Sequence, residues 1–206
     1  YCDETGIILI FDEIVTGFRF AYGGAQEYYQ VTPDICTLGK IIGGGFPLAA
    51  IVGNREIMQH FDKSKVGPDG FLMQLGTLSG NPIACVAGLK TMEILRRENA
   101  YKKMRCDGQR IAKLFHKHLG PLGVDFKVLG DDTLFDVVFT KNDIKDYRDY
   151  ILADTNIYRE FNQVLRSEGI FKPPGKIYVS AALTAADFEL TERAISCAAR
   201  HLSNLA

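Results

Sequence analysis

Several features are scarce in this 206-residue sequence, and each scarcity removes a class of function. No apolar run approaches the roughly 20 residues that cross a bilayer as a helix, so no membrane partner is expected. The opening residues, Tyr1-Cys2-Asp3-Glu4-Thr5-Gly6, lack the basic start of a secretory signal. A cytoplasmic location is therefore the expectation. The formal net charge is −1, with acidic and basic residues interspersed, so there is no basic footprint for nucleic acid. Five cysteines are scattered without a CxxC pair, and four histidines show no HExxH spacing. The cysteines read as reduced, mostly buried apolar residues, and no metal site is expected. No GxGxxG follows the first apolar run. In Gly39-Lys40-Ile41-Ile42-Gly43-Gly44-Gly45 the lysine precedes the glycines, the reverse of a nucleoside-triphosphate loop.

What is present is ample apolar content, 47% of residues, enough for a core and too much for disorder. Ile7 to Phe11 is a continuous run that ends at Asp12. It predicts a strand buried on both faces, as in a parallel sheet. Ile35 to Leu38 predicts a second strand, leading through Gly39 into Lys40, and Leu48 to Val52 a third. Ala25 to Gln30 reads as a short helix, the triple glycine at 43–45 as a break, and 62–70 as a polar loop. Asn54 is a good cap for a helix from Arg55 to His60. Asn81 and Pro82 supply the cap and first position of a longer helix, which either runs on or breaks near Glu98–Ala100 into a second helical pattern, with a stop at 120–123.

Beyond that stop, strands are expected at Phe126–Leu129, Thr133–Thr140 and Ile177–Ala182, and helices at Ile144–Leu152 and Tyr158–Glu168. Thr184 and Asp187 have the spacing of a capping box that opens a last helix. The fold class is α/β. Residues 1–100 carry strands and glycine-rich loops, and 101–206 form a compact mixed unit. The start resembles a helix end with a glycine stop and no initiator Met, so the sequence reads as the C-terminal part of something longer.

In open α/β sheets, ligands gather beyond the carboxyl ends of parallel strands. Asp12 and Lys40 both stand at such ends. The lysine can form a Schiff base with an aldehyde, clamp a phosphate, or simply pair with the acid. Pyridoxal phosphate needs the first, plus a carboxylate at its pyridine nitrogen. The glycines after Lys40 would let backbone approach such a cofactor. The residues alone leave all three uses open.

IFDEIVTGFR, PDICTLGKIIGGGFPLAAIVG and GTLSGNPIACVAG, in that order, resemble the class III aminotransferases, pyridoxal-phosphate enzymes of fold type I. FRFAYGGAQEYYQVTPD and TLGKIIGGGFP are similar to the glutamate-1-semialdehyde 2,1-aminomutase branch. The resemblance is tight over residues 1–95 and looser beyond. It implies pyridoxal 5'-phosphate as cofactor. Asp12 would pair with the ring nitrogen, Lys40 would hold the aldehyde and shuttle a proton, and Thr77 would bind the phosphate of a neighbouring subunit. A homodimer with shared sites follows.

The resemblance also implies the C-terminal half of a cofactor-binding large domain with a mostly parallel sheet at 1–100, including the start of the interdomain helix. A small α/β domain would follow at 101–206, and the rest of the phosphate cradle would lie upstream of Tyr1. The activity implied is transamination of a small amine or amino acid, with intramolecular amino transfer as the alternative. A cofactor-free binding protein of the same fold is the rival from another class, and the presence of both Asp12 and Lys40 argues against it. Glu13 is either a partner of the site or a structural carboxylate. Arg19 either meets a substrate carboxylate or fixes its loop. Gln26 either touches the expected ring environment or is structural, and Ser79 either touches the phosphate or is structural. Tyr22, Tyr28 and Tyr29 suit packing or an interface.

Overall fold

Caps and glycines, rather than long apolar runs, set the element boundaries in the first half of the chain. The computed structural model describes residues 1–97 and 99–204. The chain divides between Tyr101 and Lys102 into two compact units.

The first unit begins with a single helical turn, α1 (Cys2–Thr5), stopped by Gly6 in the left-handed region at φ 68. Three short strands follow: β1 (Ile10–Glu13), β2 (Ile35–Leu38) and β3 (Ala50–Gly53). They form one sheet in the order β1-β2-β3, with β1 and β2 parallel and β3 antiparallel to β2. The helix α2 (Gly24–Tyr29) lies in the crossover from β1 to β2. The apolar run at 7–11 enters the ladder only at Ile10, and it is not buried on both faces. Strand alternation turns Glu13 inward and leaves Ile10 57% exposed, and Ile7 and Ile8 are about half exposed.

Asn54 caps α3 (Arg55–Met58) by accepting the Glu56 amide at 3.0 Å. The stretch expected as a polar loop is instead a kinked helix, α4 (Lys63–Gly70). Asp62 caps it through the Ser64 amide, and Gly67 at φ 73 breaks it before Pro68. Asn81 accepts the amides of Ile83 and Ala84 and starts α5 (Pro82–Arg97), with Pro82 at the first position. Asn99, at φ 48, turns the chain into α6 (Ala100–Leu119); Glu98, in the expected break, lies outside the described residues.

The second unit has a denser core. Met104, Ile111, Phe115 and Leu119 of α6 recur on one helical face and are all buried. β4 (Lys127–Asp131) and β5 (Leu134–Val138) form a hairpin, with β6 (Ile177–Tyr178) antiparallel to β5. The strand expected to reach Ala182 stops early because the Ser180 hydroxyl accepts the Ala182 amide and bends the chain. Asp146 and Asp154 each cap a helix. These caps leave only one turn, α7 (Tyr147–Tyr150), in place of the expected helix at 144–152, and then start α8 (Thr155–Ser167). Phe161 of α8 meets Phe115 and Phe139 with ring centroids 6.1 and 5.4 Å apart. The Thr184–Asp187 capping box is formed and opens α9 (Ala185–Ser203). Phe188, Ile195, Ala198, Ala199 and Leu202 of α9 are buried. No described helix is long and apolar enough to cross a membrane.

Candidate active site

The parallel pairing of β1 with β2 sets the site. Its register puts Asp12 opposite Thr37 and Glu13 opposite Leu38. Lys40 follows two residues after the end of β2. Asp12 and Glu13 are sequence neighbours, but the pleat sends them to opposite faces.

Glu13 is the structural one. It is 1% exposed. Its carboxylate accepts from the Ala25 amide at 2.6 Å, the Thr16 hydroxyl at 2.9 Å and the Gln26 amide at 3.0 Å. A carboxylate seated on the first amides of α2 complements the positive end of that helix and fixes it to the strand. Gln26 joins this buried layer, donating through Nε2 to Glu13 at 3.4 Å and to Cys36 Sγ at 3.8 Å. It therefore belongs to the layer behind Asp12. Burial, and secondarily the charge of Glu13, pushes the Cys36 thiol up.

Asp12 faces outward. Its Oδ1 accepts from the Ile14 amide at 3.0 Å and from the Thr37 hydroxyl at 3.2 Å. Its Oδ2 has no partner among the described residues. Lys40 is exposed, and its amine likewise has no partner among them. No ion pair joins the two, so the plain salt-bridge use of this pair drops out among the described residues.

The backbone at Lys40 is strained. Its φ of 49 lies in the left-handed region, which side chains other than glycine enter at a cost of about 1–2 kcal/mol. Packing on both sides holds it there. A Cβ on Gly39 would meet Ile14 at 3.2 Å. Downstream, a 3-10 turn (Lys40–Gly43) lies against α5. A Cβ on Gly44 would sit 2.4 Å from Thr91 Oγ1, and one on Gly88 of α5 only 2.2 Å from the Ile42 carbonyl oxygen. Gly44 thus makes room for α5, whereas a Cβ on Gly43 would meet Leu48 at 3.3 Å and one on Gly45 would meet nothing within 4 Å. Gly44 and Gly88 let α5 brace the turn that carries Lys40.

Thr77 lies in the turn 77–80 just before α5, exposed. Its hydroxyl has no partner among the described residues, and nothing links it to Asp12 or Lys40 within this chain. The Ser79 amide donates to the Gly76 carbonyl and closes that turn. Around it, Leu72, Met73, Leu75, Leu78, Ile83, Val86 and Leu89 are each more than half exposed. Tyr22 packs edge-on to Phe18 and beneath the Arg96 guanidinium, 4.3 Å from its ring centroid. Tyr28 and Tyr29 cluster with Phe20. Arg19 is half-buried in the loop after β1.

A second lysine–aspartate constellation lies in the second unit and carries no signal in the sequence. Lys172 donates to Asp136 Oδ2 at 2.9 Å and to the Tyr158 hydroxyl at 2.9 Å. That hydroxyl in turn donates to Asp136 at 2.6 Å. The side chains of Lys172 and Asp136 are 8% and 5% exposed. Burial draws the Lys172 pKa down against the pull of Asp136. Burial, then its bond to Asp136, pushes the Tyr158 hydroxyl up. A cavity of about 430 Å³ adjoins this cluster, lined by Tyr158, Arg159, Asn162, Arg166 and Lys172 among others. None of Asp12, Lys40 and Thr77 lines it.

The two constellations differ in what they leave available. The Asp12–Lys40 pair offers a free amine and a free carboxylate oxygen at neighbouring strand ends. That donor set fits an aldehyde-bearing cofactor with a protonated ring nitrogen. The Asp136–Lys172 pair has its groups engaged with each other. Among the described residues no cluster of histidine, cysteine and acidic side chains could hold a metal ion. Thr37 and Ile14 were missed as site residues in the sequence. The one available signal was the parallel alignment of IFDEI with ICTLG, which places Thr37 beside Asp12.

The pattern that defines the class-III aminotransferases matches residues 1–192. The chain is 40% identical over 196 residues to glutamate-1-semialdehyde 2,1-aminomutase of Prosthecochloris aestuarii, covering 94% of this chain and 44% of that protein. It is 38% identical over 202 residues to the enzyme of the same name from Methanothermobacter thermautotrophicus, covering 98% and 47%. The chain thus spans less than half the length of these relatives. Among solved structures, an omega-transaminase from Sphaerobacter thermophilus superposes with a TM-score of 0.85 at 32% identity, covering 97% of this chain and 45% of its own. A β-phenylalanine aminotransferase from Variovorax paradoxus gives 0.82 at 28% identity, covering 95% and 44%. These neighbours share the fold over most of this chain.

Proposed function

Because the chain belongs to the class-III aminotransferases, we propose that the full-length protein transfers amino groups of a small amine or amino acid with pyridoxal 5'-phosphate. The carrying observation is the pair of unengaged groups, Lys40 Nζ and Asp12 Oδ2, at adjacent parallel strand ends. When bound, the cofactor supplies an aldehyde for the amine and a ring that accepts electrons from the bond broken at the amino-bearing carbon. Asp12 Oδ2 would accept a hydrogen bond from the protonated ring nitrogen. Lys40 Nζ would hold the aldehyde and would take and return the substrate proton. The braced turn between Gly39 and α5 keeps that amine aimed from a fixed backbone.

Residues 1–100 are read as the C-terminal half of the cofactor-binding large domain and 101–206 as a small α/β domain. Thr77 is assigned to the phosphate of a second subunit. The exposed apolar strip around Thr77 supports a homodimer, since a contiguous apolar patch in water marks an interaction surface. A cytoplasmic setting belongs to the same reading and is supported by five free cysteines. A second reading, intramolecular amino transfer, is favoured by the name that the 40%-identical relatives carry.

Two experiments on the full-length protein test this. Lys40→Ala should lose the protein-bound visible absorbance that borohydride bleaches; retention of that band would remove Lys40 from the site. Turnover of an amino-carbonyl substrate without any external amino acceptor separates the two readings, because only the intramolecular transfer proceeds. For Thr77, cofactor affinity of a Thr77→Ala dimer equal to the parent's would end its assignment to the phosphate.

A further inference from the structure

Asp12 carries a requirement that its own side chain cannot meet. A carboxylate at the end of an exposed strand rotates freely about its side-chain bonds unless one oxygen is held. Here Oδ1 is held twice, by the Ile14 amide at 3.0 Å and by the Thr37 hydroxyl at 3.2 Å. The first is local, since an aspartate that bonds the amide two residues on is turn chemistry available to any strand that ends this way. The second is tertiary and depends on the β1–β2 register that places Thr37 directly opposite Asp12. The layer behind fixes that register. Glu13 and Cys36 face the other way, and Gln26 bridges them. The strand ends therefore cannot slip without breaking the Glu13 contacts to α2.

We propose that Thr37 is a positioning residue for the cofactor: its hydroxyl occupies Oδ1 of Asp12, so that Oδ2 is the oxygen presented to the ring nitrogen. This rests on the assignment of Asp12 given above. Thr37 touches neither the cofactor nor the substrate and acts through Asp12 alone. Threonine suits the position twice over. Its branched Cβ favours the strand, and its hydroxyl donates sideways to the neighbouring strand. Valine would keep the shape and strand preference while deleting the donor. Serine would keep the donor.

The test uses full-length protein loaded with pyridoxal phosphate isotopically labelled at the ring nitrogen. In the parent, the ring-nitrogen resonance sits at the protonated position. In Thr37→Val it moves toward the unprotonated position, and cofactor dissociation rises roughly tenfold, the value of one hydrogen bond to a charged group. In Thr37→Ser both stay near the parent. An unmoved resonance and unchanged affinity in Thr37→Val overturn the proposal. So does a Thr37→Ser variant as impaired as Thr37→Val, which would make packing the cause. Asp12→Asn separates the two levels. If it leaves the resonance in place, the assignment of Asp12 itself fails and takes the role of Thr37 with it. If Asp12→Asn moves the resonance and Thr37→Val does not, only the role of Thr37 fails.

Discussion

The Asp136–Lys172 pair of the second unit and the Asp12–Lys40 pair of the first are built oppositely. Asp136 and Lys172 are buried, 2.9 Å apart, and share the Tyr158 hydroxyl. Asp12 and Lys40 are exposed at strand ends and are not ion-paired to each other. In the first, the charges satisfy one another and lock the loop 172–175 to β5 and α8. In the second, each charge is held by its backbone and neighbours so that its chemistry points outward. Burial of a lysine is therefore no sign of catalysis in this chain, and the exposed amine on a strained backbone is the better candidate.

The comparison is sharpest where the two lysines are tested for opposite properties. Lys40→Ala should lower kcat of the full-length enzyme by roughly 10²–10⁴-fold, the range for loss of a positioned proton-transfer group. The same change should alter unfolding free energy by less than about 0.5 kcal/mol, since Lys40 is exposed and its amine has no partner among the described residues. A stability loss as large as that of a core substitution would make Lys40 structural and erase the contrast.

The converse holds for Asp136. Asp136→Ala leaves the Lys172 amine buried with only the Tyr158 hydroxyl and the Pro173 carbonyl, with no counter-charge, and should cost about 3–5 kcal/mol in denaturant unfolding. The double variant Asp136→Val with Lys172→Met should recover most of that loss, because the desolvated charges go together. If the double variant is no better than the single, the pair is more than a fastener.

A smaller effect is expected at Gly88, which braces the Lys40 turn from α5. A Cβ there would lie 2.2 Å from the Ile42 carbonyl oxygen, so backbone must move. Gly88→Ala should cost about 1–3 kcal/mol in stability. It should also lower kcat/KM through the displaced turn. Stability loss with unchanged kcat/KM would show that the brace does not aim Lys40.

The smallest expected effect concerns acid. Burial works to raise the Asp131 pKa, but the Arg105 guanidinium at 2.8 Å and the Thr133 amide and hydroxyl outweigh it and hold it below its usual 3.8. A depressed carboxylate pKa gives stability that is present above the unfolded value and lost as pH falls through the folded one. The parent should therefore lose stability below about pH 4, and Asp131→Asn should lose less over the same window. Equal acid slopes in the two proteins would assign acid sensitivity elsewhere.

Much of this was legible in the residues. Asn54, Asn81 with Pro82, and the Thr184–Asp187 box marked helix starts because caps are local chemistry. The strand at 35–38 and the last helix with its buried face followed from apolar spacing. Asp12 and Lys40 stood out because each ends an apolar run. Other features were not legible. The kinked helix at 63–70 needed Asp62 to win against Gly67 and Pro68, and the early end of β6 needed the Ser180 turn. Composition does not decide such contests.

By itself, the sequence determined the local punctuation, the family motifs and the two residues, Asp12 and Lys40, whose types suit the chemistry. Only the tertiary structure decided which neighbouring carboxylate faces out. It separated Asp12 from Glu13 by the strand pleat, then gave Glu13 to the N-terminus of α2 and Asp12 to Thr37 across the parallel register. It also gave Gly44 to the packing of α5 and engaged Lys172 with Asp136. The physical reason is range. Caps, turns and periodicity act within a few residues along the chain, whereas burial and hydrogen-bond partners depend on segments tens of residues apart meeting in space.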